Sequence, residues 1–209
     1  MVLWHDTLMA TAPDTRTEDR LGEVVEASTT GFVAQCYELY EAPPLGSLVR
    51  SGAGDPIYGI VHDVATLSMD PARHPIPRGR DEGGEDSVHR SNPQLARLLH
   101  TEFHATIVGH GSGDHLRRFL PPAPPRIYSR VHLCVGEELR VFSDSLEFLP
   151  LLLTSTIGAT DDVIASFLRQ AGAARPDPEG YLVDAGRELA VLLVGQLPRL
   201  NGVLRRLSP

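Results

Sequence analysis

The sequence predicts an α+β fold, with strands as far as about residue 135 and helices from Gly136 to the last residue, 209. Three observations predict it. Short runs rich in Val, Ile, Phe and Tyr, punctuated by Gly, Pro and Thr, fill residues 21–135. From Gly136 the apolar spacing changes from alternation to intervals of three and four. The 42% apolar composition is sufficient for a real core, yet no apolar run approaches the roughly 20 residues that span a bilayer.

The elements follow in order. Residues 1–20 show no sustained periodicity and read as a flexible tail. LGEVVEAS and FVAQCYEL, separated by Thr29, Thr30 and Gly31, carry a hairpin signature. Pro43, Pro44 and Gly46 make a turn, SLVRS a short strand and GAGDP a second turn. IYGIVHDVATL is a long strand with a bend or bulge at Gly59. Phe32, Ala34 and Cys36 lie on one face of their strand, and Val33, Tyr37 and Leu39 on the other. Strands apolar on both faces belong to a closed barrel or to a sheet covered by another layer. Residues 70–90 are Pro, Gly and charge, a long mobile insertion that either stays solvated or orders on a partner. SNPQLARLLH starts a helix, with Ser91 or Asn92 as cap, Pro93 in the first position and Leu95, Leu98 and Leu99 on one face. EFHATIVGH returns to a strand, and SRVHLC, after the Pro-rich LPPAPPRIY, is the last strand.

In the helical part, Ser143 or Asp144 opens SLEFLPLLL. Thr160 caps DDVIASFLRQA, with Val163, Ile164, Phe167, Leu168 and Ala171 as the buried stripe. Asp177-Pro178 starts a third helix with Tyr181, Leu182, Ala185, Leu189, Leu192 and Leu193 inward. Pro198 breaks it, and a short final helix presents Leu200, Val203, Leu204 and Leu207 to the core or to an interface.

Charge and chemistry narrow the function. The net charge is −8 with a pI near 5.5, which favours a protein partner over nucleic acid despite Arg clusters at 117–130 and 199–206. The chain contains no lysine, which excludes a Walker-A phosphate loop, a Schiff-base mechanism and an S-x-x-K site. Cys36 and Cys134, far apart in apolar contexts, indicate a reduced, cytoplasmic protein, and the polar start does not read as a signal peptide.

The stretch HTEFHATIVGHGSGDH, residues 100–115, is the densest in candidate ligands. His100 and His104 have i, i+4 spacing, but Glu102 stands in neither zincin order, and alternation makes the segment a strand. Glu102, His104, Thr106, Val108 and His110 then share one face, with His104 and His110 roughly 20 Å apart. That is too far to share an ion, and the glycines after them read as a turn. Glu137-Glu138 and Asp161-Asp162 fit helix starts better than acid–base work. No catalytic residue, metal ligand or cofactor is therefore assigned.

The ordered strand motifs resemble a family. Leu21-Gly22-Glu23-Val24, Pro43-Pro44-Leu45-Gly46-Ser47-Leu48-Val49 and Gly59-Ile60-Val61, followed by NPQLARLLHTEFHATIVGH, are similar to the HerA–ATP synthase (HAS) barrel over residues 21–135. The run PPAPPRIYSRV before a helical region is similar to stand-alone bacterial versions of that barrel. The resemblance implies a small closed antiparallel β-barrel of about six strands, followed by a C-terminal helical region over 136–209. In that family the barrel precedes a hexameric DNA translocase, HerA, and docks the nuclease NurA in double-strand break end processing. Without lysine there is no ATPase module here. The expectation is a non-enzymatic accessory subunit that binds a HerA-like motor, a NurA-like nuclease or both, contacting DNA only indirectly or weakly.

The candidate partner-binding residues are His104, His110, Arg117, Arg118, Leu204, Arg205 and Arg206. Two alternatives remain open. One is a nucleic-acid-binding barrel using Tyr37, Tyr40, Tyr58, Arg117 and Arg118. The other is a metal-dependent hydrolase using His100, His104, His110 or His115.

Overall fold

Six antiparallel strands close into a barrel in the order β1-β2-β5-β4-β3-β6, with β6 returning to β1. They are β1 (Arg20–Ala27), β2 (Gly31–Cys36), β3 (Leu48–Ser51), β4 (Ile57–Ser68), β5 (Leu99–His110) and β6 (Arg130–Leu133). The computed structural model describes residues 20–111 and 115–207. The tail read over 1–20 lies outside the described residues except for Arg20, which already belongs to β1.

The two-sided apolar pattern has two causes in two halves of the molecule. Val24, Phe32, Ala34, Val49, Val61, Phe103, Ala105, Ile107 and Val131 alternate inward along their strands and fill the barrel. Leu48, Tyr58, Ile60 and Val108 point outward from β3, β4 and β5, but they too are buried, in a second core shared with the helices. The sequence alternatives of closed barrel and covered sheet are thus both realised, on opposite faces of the same strands. Each large side chain buried this way contributes about 1.5–3 kcal/mol relative to exposure.

The helical part comprises α3 (Gly136–Ser143), α4 (Leu149–Leu153), α5 (Thr160–Ala173), α6 (Pro178–Leu192) and α7 (Leu197–Leu207). Its centre is α5, whose predicted stripe of Val163, Ile164, Phe167, Leu168 and Ala171 is wholly buried. The aromatic chain Tyr58, Phe142, Phe148, Phe167 crosses from barrel wall to α5, with successive ring centroids 5.0, 5.3 and 5.2 Å apart.

The joint between the layers is the predicted Pro-Pro-Leu-Gly turn. Gly46 has φ +79°, and a Cβ there would lie 2.6 Å from the Phe167 backbone nitrogen, so only glycine fits. Leu45 O accepts from Ser166 Oγ at 2.7 Å and from Gln170 Nε2 at 3.0 Å. These bonds tie α5 to the turn.

Several local readings need correction. The helix expected from Ser91 shrinks to α2 (Leu95–Leu98), a single turn, because β5 begins at Leu99 and claims the third leucine. Neither Ser91 nor Asn92 caps it; they end a short helix, α1 (Glu85–Ser91), which occupies the last part of the 70–90 insertion. Ser143 closes α3 instead of opening the next helix, and its hydroxyl donates to Leu139 O at 2.6 Å. Thr160 is the first helical residue of α5, not its cap; its hydroxyl donates backward to Ile157 O. Asp177 does cap α6, accepting from Gly180 N at 2.9 Å. Leu192 turns to solvent where α6 ends, and Pro198 sits in the first turn of α7, the break coming earlier at Gly195. The bulge predicted at Gly59 is present as a register shift between Tyr58 and Gly59.

Candidate functional site

The histidine-rich stretch is β5 and its exit. Its outer face does not form one polar strip. Glu102 and His104 are half-buried, Thr106 and Val108 are buried, and His110 emerges again at the strand end. The reason lies across the ladder: Ile60 pairs with Thr106, and Val108 belongs to the core beneath the helices. His104 and His110 therefore belong to two separate surfaces, which corrects the single outer face read from alternation alone.

Around His104 the outer face carries a small polar group. Glu102 contacts His100 Nε2 at 3.2 Å and His104 Nε2 at 3.5 Å. His62, left over by the second register shift of β4 between Val61 and Asp63, contributes Nδ1 to a hydrogen bond with Thr106 Oγ1 at 3.1 Å. The His62 and His104 rings meet edge to face at 6.1 Å, and burial, followed by the neighbouring His104, holds the His62 pKa below its usual value. His62 and His104 line a shallow crevice of about 260 Å³ with Glu26 and Ser28. Among the described residues, no group of three or more His, Cys, Asp or Glu side chains is placed to hold a metal ion.

His110 sits at a chain reversal. Gly111 has φ +86°, and His110 and Arg117 face each other as an antiparallel bridge, so the chain does turn back where the glycines predict. The His110 ring lies edge-on to Phe119 at 5.4 Å, with Nδ1 at 3.2 Å from Phe119 O.

The candidate arginines divide in the same way. Arg118 reaches the C-terminal end of α3, donating to Phe142 O and Val141 O, both at 2.7 Å, and its guanidinium lies over the Phe142 ring. It satisfies helix carbonyls and joins the barrel exit to the helical layer. Arg117 donates to Leu116 O. Arg206 pairs with Asp162 at 2.6 Å and Arg199 with Asp161 at 2.9 Å, locking α7 to the first turn of α5. Leu204 is partly buried against the helical core, in line with buried Leu200, Val203 and Leu207, while Arg205 is exposed.

The stacking residues are equally divided. Tyr58 is buried and its hydroxyl donates to Glu138 Oε1, while Tyr37 is exposed and donates to Glu23 Oε1. Both thiols are free and buried, and burial pushes the Cys36 pKa up to about 11 and the Cys134 pKa well up as well. Thiols held protonated in this way are poor nucleophiles. No helix among the described residues is long and apolar enough to cross a membrane.

Two features escaped the sequence reading. The first is a run of exposed apolar residues where α6 gives way to α7: Val191 is 69% exposed, Val194 79% and Leu197 66%. They hid inside a pattern that looks uniformly core-like, and only the helix end at Leu192 separates them from it. The second is a groove of about 800 Å³ between the 70–98 insertion and the end of the β4–β5 ladder, lined by Tyr40, Met69, Ile76 and Leu98 among others. A lone Ile76 within the Pro, Arg and Gly of the insertion was the available signal. No protein-family model matches the chain, and none of the curated proteins compared with it is detectably similar.

Proposed function

We propose that this protein is a non-enzymatic docking subunit, a barrel with its own helical layer that binds a HerA-like DNA translocase, a NurA-like nuclease or both during DNA end processing. The observation that carries the docking role is the exposed apolar strip Val191, Val194 and Leu197 on the outside of the helical layer. Three large apolar side chains this exposed within seven residues of chain are of the type that protein interfaces cover. The choice of partner rests on the family resemblance of the three strand motifs. They fall on β1, on the turn into β3 and on β4, all parts of one closed barrel.

The acidic balance supports a protein partner over direct DNA contact, as does the use of Arg118, Arg199 and Arg206 in intramolecular bonds. Co-purification tests the proposal. The protein is expected to elute with a HerA-like ATPase or a NurA-like nuclease, and Val191→Asp with Val194→Asp is expected to abolish that co-elution while the circular dichroism spectrum is unchanged. A protein that runs alone in the presence of both would overturn it. Strong mobility shift of DNA by the isolated protein at low salt would move the role to nucleic-acid binding.

A further inference from the structure

Beyond the end of β3, one side of β4 is a free edge. β3 pairs with β4 only as far as Leu48 opposite Ile60, while β4 runs on beside β5 to Ser68. Val61 is still bonded on that side, its N–H donating to Ser47 O at 3.0 Å and its O accepting from Gly46 N at 2.8 Å. After the register shift between Val61 and Asp63, Met69 fixes the phase of the ladder, its N–H donating to Leu98 O at 2.9 Å. Antiparallel alternation then turns the N–H and C=O of Asp63, Ala65 and Leu67 toward β5, and those of Val64, Thr66 and Ser68 away from it. The opposite ladder agrees: Ile107 N donates to Thr30 O at 2.9 Å, so Phe103 bonds toward β2 and not toward Val64. Among the described residues no strand pairs with the outward groups.

This edge lacks the usual guards. Natural sheets keep free edges unpaired with charged side chains or proline. Residues 64–68 read VATLS, with neither charge nor proline. Val64 and Leu67 are 41% and 44% exposed. Asp63 guards the start alone, its Oδ1 accepting from Val64 N at 3.0 Å.

We propose that two copies of this chain pair through β4, antiparallel about a two-fold axis at Ala65. Val64 then stands opposite Thr66 of the second copy, and Thr66 opposite Val64 of the second copy. Outward groups meet outward groups as hydrogen-bonded pairs, and the Asp63 carboxylate yields the Val64 N–H. Asp63 falls opposite Leu67 of the second copy, so no like charges meet. Ala65 faces its own counterpart in a non-hydrogen-bonded pair, where Cα atoms approach to about 4.5 Å and a small side chain fits. Each copy uses the same patch, so the contact closes at a dimer and does not extend into a fibre. The pairing is independent of the docking role, which rests on the helical surface around Val191.

A cysteine at the axis reports the register. Both native cysteines are buried, so the unaltered chain is not expected to cross-link. Ala65→Cys is expected to form a disulfide-linked dimer under mild oxidation, since Cα atoms about 4.5 Å apart suit a disulfide. Leu67→Cys, about 13 Å from its counterpart in this register, should cross-link about tenfold more slowly or not at all. Adding Thr66→Pro removes an outward N–H without touching a bond to β5, and should abolish the cross-link. Should that variant lose its circular dichroism spectrum, Ala65→Lys gives the same reading: like charges meet at the axis, while within one chain the new side chain stands opposite Glu102. Sedimentation velocity should then show monomer where the unaltered chain shows a monomer–dimer equilibrium over about a hundredfold range of concentration. Val191→Asp should leave the Ala65→Cys cross-link unchanged. The pairing is overturned by an unaltered chain that is monomeric throughout that range, or by cross-linking at position 67 as fast as at 65. Loss of the cross-link in Val191→Asp would overturn it too, by moving the dimer contact to the helical surface.

Discussion

At one end of the β4–β5 ladder Tyr58, Ile60 and Val108 lie beneath the helices with almost no exposure; at the other end Asp63 and Leu67 are exposed, and Glu102 and His104 are half-buried. The strands, the hydrogen-bond ladder and the twist are shared. The difference comes from what the neighbouring loop permits. At the covered end Gly46 lets the 43–46 turn lie flat under α5, and Ser166 and Gln170 bond to it. At the open end β4 has β5 on one side and runs past the last residue of β3 pairing, Leu48 opposite Ile60. The covered half is thus already occupied by the chain itself. The candidate arginines Arg118 and Arg206 are taken up by bonds within the chain, whereas Val191 stays exposed.

The sharpest way to break this comparison is to hollow out the covered side. Phe167 is wholly buried and packs on Phe148. Phe167→Ala is expected to destabilise the protein by about 3–5 kcal/mol, the cost of a large aromatic cavity. Leu67→Ala, on the open end of the same ladder, should change stability by no more than about 0.5 kcal/mol. Urea unfolding midpoints measure both. Equal losses would mean that the two ends are not differently packed.

Gly46→Ala tests the hinge of the comparison. The new Cβ meets Ser166 Cβ at 2.7 Å as well as the Phe167 nitrogen, and the backbone must hold a positive φ that alanine resists. The expected loss is about 1–3 kcal/mol, with amide exchange accelerated in α5 more than in β1 and β2. Unchanged protection of α5 would show that the turn is not what fixes the helical layer.

The sequence shows the alternating strands, the helical stripe of α5 and the Asp177 cap well, because each is set by residues close in the chain. It shows boundaries poorly where two elements compete for one residue. Leu99 has helical spacing with Leu95, yet pairing with Ser68 on β4 draws it into a strand. Ser143 resembles a helix start, yet its hydroxyl ends α3. The outer face of β5 was legible only as alternation, since nothing local to Thr106 and Val108 announces that Ile60 and the helices will cover them. The candidate site suffered most, because grooves and apolar strips form between segments far apart in sequence, such as Tyr40 with His89. The same long-range origin explains Arg118, whose partners in α3 lie 23 and 24 residues away.

The smallest expected effect separates the ends by proton uptake. His62 stands at the boundary, its ring against His104 and Thr106, with Asp63 beside it. Burial chiefly, and the neighbouring His104 next, lower its pKa from the ordinary 6.5, while Asp63 opposes them. In the unfolded chain His62 regains the ordinary value, so below about pH 6.5 the unfolded state binds more of this proton. Its contribution to stability is therefore fully present above pH 6.5 and declines as pH falls, until the folded site also takes up the proton. His62→Gln retains a partner for Thr106 and removes the titration. The difference in stability slope between the two proteins below pH 6.5 should correspond to a fraction of one proton, measured by urea unfolding at a series of pH values. Parallel slopes would place the proton uptake on other groups and leave the crevice at the open end no more responsive to pH than the buried wall beside it.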